Sequence, residues 1–256
     1  MNLKPSEIIG RMLRQDAPEG LGVSTLEHIE AALDEGNVEL AKERLEYARQ
    51  EWQVVHDMYV NWAWSFFTYI QQKDGDEGLE QAYRDILGSY YRDRYDAVMA
   101  ADTETQLQLS VEGLRGHLMG PGRRGEVPVT DEGERWRIDL EPCGSGGVAI
   151  KRLRAGDEPN PELFGFADKA HDWTWGKENV CHYCGHCAFV NEILAIEHYG
   201  HPLRVTEYSG DDDGSCVWYI YKDPKDIPAE YYERVGKTAP AHARRLTDHE
   251  AGGDAS

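Results

Sequence analysis

Long apolar runs are missing from this chain. No segment approaches the ~20 apolar residues that a membrane-spanning helix needs, and the N-terminal MNLKPSEIIGRMLRQDAPEG has no apolar core of the secretory kind. The expectation is a soluble, cytoplasmic protein with no membrane partner. Basic charge is scarce too: 27 Lys and Arg stand against 47 Asp and Glu, a formal net charge of −20. A field of that sign repels phosphate backbones and no basic run opposes it, so nucleic acid is excluded as an expected partner. Cysteine is rare, at five in 256 residues. An odd count with C-x-x-C spacing argues against a disulfide framework and for a reducing compartment.

What is present is concentrated. Three of the five cysteines fall in one heptapeptide, Cys181-His182-Tyr183-Cys184-Gly185-His186-Cys187. Two overlapping C-x-x-C steps beside imidazoles are the spacing at which thiolates converge on a soft or borderline metal ion. In the first step Gly185 suits a knuckle, with a positive φ and backbone N–H groups aimed at the sulfurs. In the second, Cys184 and Cys187 stand at i, i+3 and share a helix face. Cys143 and Cys216 adjoin glycine-containing turns, Pro142-Cys143-Gly144 and Gly214-Ser215-Cys216, so two hairpins could carry them to the same place. For Cys216 a core role beside Trp218 and Ile220 is an equal reading. The expected metal ligands are therefore Cys143, Cys181, Cys184, Cys187 and Cys216. Interleaved histidines favour zinc, which accepts mixed sulfur and nitrogen donors. An iron–sulfur cluster is the alternative, because Cys-x2-Cys-x2-Cys also begins a ferredoxin-type motif, although Asn191 stands where that motif has its fourth cysteine.

Periodicity divides the chain. Residues 1–22 read as an N-terminal extension and 23–119 as a helical region, an antiparallel bundle of three or four helices. Ser24 and Glu27 have capping-box spacing, Asn37 caps a long helix, Gln71 to Asp76 ends it, and Thr103 with Gln106 opens the last one. On the long helix the expected buried stripe is Leu45, Ala48, Trp52, Val55, Tyr59, Ala63, Phe67 and Ile70. Past Met119-Gly120-Pro121-Gly122 the period becomes two, with Trp136, Ile138 and Leu140 on one strand face and Val148-Ala149-Ile150 as a returning strand. After the heptapeptide come a helix stopped by Gly200 and Pro202, then a hairpin turning at Gly210 to Gly214. Residues 134–236 thus form a Cys-rich metal-binding α+β region, and 237–256 a flexible tail. The fold class is α+β: a helical bundle, then a small antiparallel sheet with a helix carrying the metal site.

The Gly144-Ser145-Gly146-Gly147 run lacks the lysine and the following helix of a phosphate-binding loop and reads as a hairpin turn. Aromatics gather on the long helix (Trp62, Trp64, Phe66, Phe67, Tyr69) and around the cysteines (Trp173, Trp175, Tyr183, Trp218, Tyr219, Tyr221). A pocket between the two groups, lined by some of Trp62, Phe66, Trp173 and Trp218, is the expected site, with His117 or His186 within one water of the metal as the catalytic acid–base group. His56-Asp57 and His171-Asp172 are further acid–base pairs. The function expected is a metal-dependent enzyme, a hydrolase or lyase, acting on a small-molecule substrate. A zinc-stapled ligand-binding or regulatory module is the other reading, since four cysteines can close a zinc site completely. A homo-oligomer is compatible with either.

Overall fold

The computed structural model describes residues 1–118, 127–210 and 214–246. The linker expected at Met119 to Gly122, the middle of the turn between Gly210 and Gly214, and residues 247–256 of the expected tail lie outside them. The fold is α+β. Two compact units divide it, the first built on Met1–His56 and the second on Asp57–His117 with the described residues from 127 onward. No helix among the described residues is long and apolar enough to cross a membrane.

In the first unit the segment expected as an extension is a hairpin, β1 (Leu3–Ser6) paired antiparallel with β2 (Arg11–Arg14). Arg14 ties it down: its guanidinium meets the Asp16 carboxylate at 2.7 Å and donates to the carbonyls of Gly20 and Val23. Helix α1 (Thr25–Asp34) starts at Ser24, whose hydroxyl accepts from Leu26 N–H at 3.1 Å. Helix α2 (Val38–Ala82) starts at Asn37, whose side chain accepts from Leu40 N–H.

The helix end expected between Gln71 and Asp76 is present as a break: Gly75 is non-helical, and Val38–Ala82 is two helices meeting there. Helical structure continues on both sides of a single kink at Gly75, whose φ of +75° lies in the left-handed region that glycine reaches without strain. A π turn (Tyr83–Leu87) joins α2 to α3 (Gly88–Met99), and Asp102 rather than Thr103 caps α4 (Thr103–Arg115) by accepting from Thr105 N–H.

The second unit is organised on a four-stranded antiparallel sheet of order β3-β4-β6-β5, with β3 Val129–Asp131, β4 Arg135–Leu140, β5 Val205–Tyr208 and β6 Cys216–Tyr221. The alternation read in β4 holds, because Ile138 faces Trp218 and Leu140 faces Cys216 across the ladder. On this face they pack with Ile220 against Leu114 of α4. Val205, Tyr219 and Tyr221 cover the other face with Tyr231 and Tyr232 of α8 (Ala229–Glu233). Beyond Lys237, residues expected to begin a tail return to α8: Leu246 N–H donates to Glu230, and Arg245 forks onto Glu233.

Two strand and stripe assignments need correction. Val148 to Ile150 is not a strand but part of α5 (Gly146–Ala155), closed by Gly156 at φ +80°. Three consecutive apolar residues fit either period; Leu153, three positions on, packs with Ala149 and Ile150 in one cluster and completes a helical face. On α2 Val60, Trp64, Phe67, Thr68 and Leu79 are buried in this unit, whereas Tyr59, Trp62, Phe66 and Tyr69 are 54–63% exposed. Of the expected stripe, Ala63, Phe67 and Ile70 do pack in the core, whereas Tyr59 is exposed and Val60 and Trp64 are buried instead, because the helix is apolar on more than one face here.

Candidate metal centre

The heptapeptide enters the core on a short ladder: Ala167 and Val180 exchange a backbone bond of 2.8 Å, and His182 N–H donates to Gly165 O at 3.1 Å. Helix α2 holds this ladder from outside, with the Trp64 indole donating to Gly165 O and Thr68 Oγ1 accepting from Gly165 N–H, both at 2.8 Å. The Tyr83 hydroxyl donates to His182 O. From Gly185 the chain is helical, as α6 (Gly185–Ala188), a π turn (Phe189–Leu194) and α7 (Ala195–Tyr199), ended by Gly200 at φ +83° as its sequence indicated.

Gly185 does not form the expected knuckle. It is the first residue of α6, and the N–H groups of Gly185, His186 and Cys187 donate to the carbonyls of Cys181, Tyr183 and Cys184 instead of facing sulfur. Glycine is required there for another reason: a Cβ would stand 2.8 Å from both the Trp173 ring and the Tyr83 hydroxyl. The i, i+3 relation does operate, since Cys184 and Cys187 face one cavity of about 30 Å³.

Cys143 and Cys216 line the same cavity. Cys143 arrives on the loop between β4 and α5, Cys216 as the first residue of β6. The two approaches are joined backbone to backbone, Cys143 N–H donating to Gly214 O at 3.1 Å. Gly146 and Gly147, which open α5, also border the cavity, and a Cβ on Gly146 would lie 2.7 Å from Cys184 Sγ. The glycine run read as a hairpin turn is therefore a loop that opens a helix, and the positive end of the α5 dipole lies beside the thiols. Trp175, Tyr183, Tyr208 and Trp218 complete the wall. Trp175 has φ +55°, costly for a bulky residue by about 1–2 kcal/mol, and is held by stacking on Tyr208 and by donating its indole N–H to Glu192 at 2.7 Å.

Of the expected ligands, Cys181 stands apart. It is fully buried with Val60, Trp64, Ile150 and Phe164 and does not border the cavity, although its thiol bonds that of Cys184. This bond, then burial and the neighbouring thiols, hold Cys184 well above the ordinary thiol range. Burial does the same for Cys216, with Cys143 and Cys187 adding to it, and pushes Cys187 to about 11 against the opposing charge of Arg204. Among the described residues no group of three or more His, Cys, Asp or Glu side chains is arranged to hold a metal ion. The four sulfurs surround a shared space.

The histidines separate into different roles. His186 borders the cavity; its Nδ1 is 2.5 Å from Tyr183 O, and because a carbonyl only accepts, Nδ1 carries the proton and Nε2 keeps a lone pair, 3.5 Å from Cys187 Sγ. His182 points to α2, with Nδ1 3.3 Å from Thr68 Oγ1, and burial lowers it to about 4. His117, expected as an acid–base group, follows α4 and packs by its backbone and Cβ under Gly144, outside the cavity. His171 stacks on Trp173 and meets Asp76 at 3.1 Å, and Asp57 pairs with Arg152. The expected pocket wall is also different: Trp62 and Phe66 are exposed and Trp173 lies in the core, so Trp218 alone of the four named aromatics borders the cavity.

Sequence reading missed the buried ion pair beneath the site. Glu192, fully buried in the π turn, accepts from Trp175 Nε1, Thr206 N–H and Arg234 at 2.7–3.2 Å. Burial raises its carboxyl despite these donors. Nothing in the sequence couples positions 192 and 234; the only signal was an acidic residue in an otherwise apolar helix stretch. No family model matches the chain, and no curated protein and no solved structure matches it.

Proposed function

We propose that this is a metalloprotein whose centre is held by Cys143, Cys184, Cys187 and Cys216, and that it acts as a lyase or hydrolase on a small molecule. The observation that carries the reading is that four cysteines from three separated chain segments line one cavity. Free thiols gathered this way, all five unpaired, also fit a reducing compartment such as the cytoplasm.

The all-cysteine donor set favours an iron–sulfur cluster. Zinc requires its ligands at about 2.0–2.3 Å from one point. A cluster takes a thiolate at each of several irons, which suits four cysteines brought to one cavity from separated segments. The helix dipole of α5 and the backbone of Gly146 beside Cys184 offset the negative charge such a centre carries. The second reading is zinc with His186 as a ligand. It is favoured by the Nδ1–H to Tyr183 O bond, the arrangement that orients ligating histidines elsewhere and frees Nε2.

Serine scanning tests the ligand assignment. Cys143→Ser, Cys184→Ser, Cys187→Ser and Cys216→Ser should each lower bound metal, while Cys181→Ser should lower thermal stability and leave metal content at the wild-type level. Full metal occupancy in the four variants would remove the assignment.

A further inference from the structure

His186 borders a second space. On the side away from the thiols, α3, α4, the π turn Phe189–Leu194 and the residues just before β5 enclose a pocket of about 210 Å³. Its body is apolar, from Val98, Leu109, Val190 and Leu203, with the rings of Tyr91 and Tyr95. Its charges are both positive: Arg94 at the rim and Arg204 within.

Arg204 is the anomaly. This chain carries 47 acidic residues against 27 basic ones, yet among the described residues no carboxylate pairs with this half-buried guanidinium. Its face lies 3.9 Å over the Trp218 ring, its Nη1 donates to Ser110 Oγ at 3.3 Å, and its Nε is buried without a hydrogen-bond partner. Arg94 likewise rests on an aromatic ring, that of Tyr90, at 4.9 Å. A buried donor with no acceptor costs free energy unless something supplies one. The planar fork of a guanidinium matches a carboxylate in two parallel bonds, and the apolar walls favour a compact hydrocarbon body behind it. The volume lies below that usual for drug-sized ligands.

We infer that this pocket binds a small monocarboxylate with a compact apolar or aromatic body, its carboxylate on Arg204 and its body against Val190, Leu203 and Tyr95. Its place as the substrate site rests on the metal-centre reading, because His186 lines both spaces and Arg204 stacks on Trp218 of the thiol-cavity wall; its anion binding does not. Arg204 and Arg94 act by recognition, and the same two charges exclude cationic ligands.

Isothermal titration with benzoate as the probe tests this, with benzyl alcohol and inorganic phosphate beside it. Benzoate is expected to bind at least tenfold more tightly than benzyl alcohol and more tightly than phosphate, and to perturb Trp218 fluorescence. Arg204→Gln should weaken benzoate by tenfold or more, and Arg94→Gln, at an exposed position that folding does not need, by a few-fold. No benzoate binding, tighter phosphate binding, or unchanged affinity in both variants would overturn the assignment. Metal content measured on the same samples separates the two readings: benzoate binding by metal-free wild-type protein upholds the pocket and removes the metal centre. An Arg204 that serves only as counter-charge to the thiolates would give lost metal in Arg204→Gln and no benzoate binding to wild type.

Discussion

Gly147 and Gly214 meet backbone to backbone. A Cβ on either would overlap the main chain of the other, and one on Gly147 would also stand 3.0 Å from Cys143 Cβ. Through this contact the loop carrying Cys143 and the strand opening at Cys216 reach one cavity, and Cys143 N–H bonds Gly214 O. Two glycines far apart in sequence thus set the spacing of two sulfurs.

Gly147→Ala is therefore expected to destabilise the second unit by about 1–3 kcal/mol, the usual cost of forcing a methyl into a packed site. Gly214→Ala should cost more, since Gly214 also has φ +72°. Denaturant midpoints measure both, and bound metal should fall with them. Wild-type midpoints in both variants would show that the contact is not needed.

The Glu192–Arg234 pair predicts an asymmetric result. Glu192→Leu alone removes the buried one of Arg234's two carboxylate partners, leaving only the part-exposed Glu207, and should cost about 3–5 kcal/mol. The double variant Glu192→Leu with Arg234→Met should recover much of that loss, because two matched apolar groups leave no buried charge. Thermal denaturation of the two proteins decides, and a double variant less stable than the single would contradict the account.

The two faces of α2 give a third test. Trp64 is 1% exposed, donates to Gly165 O and packs against Phe164, so Trp64→Ala should cost about 3–5 kcal/mol. Phe66 is 63% exposed, and Phe66→Ser should change stability by no more than about 0.5 kcal/mol. The reverse order would contradict this assignment of the buried and exposed faces.

These cases show which features were legible in the sequence. Caps and stops at Ser24, Asn37 and Gly200 could be read locally because each satisfies its own helix end. The alternation of Ile138 and Leu140 identified β4 because one sheet face is continuously apolar. The i, i+3 pair Cys184 and Cys187 was readable from helix geometry. Where several faces of an element are apolar, as on α2, or where three apolar residues stand in a row, as in α5, the pattern carries no direction and packing decides. Cys181 was grouped with its neighbours by spacing, but burial with Val60 and Trp64 takes it out of the cavity wall. The pocket on Arg204 had no local signal, since its lining comes from α3, α4 and the segment 186–204.

Metal and sulfide analysis with an absorption spectrum of protein purified without oxygen tests the central claim most directly. The account predicts iron with acid-labile sulfide and a visible charge-transfer band, all lost in Cys184→Ser and all retained in Cys181→Ser. Stoichiometric zinc in a colourless protein would replace the cluster by the His186-assisted zinc site. Protein that binds neither metal, with Cys184→Ser as stable as wild type, would contradict the metal centre altogether.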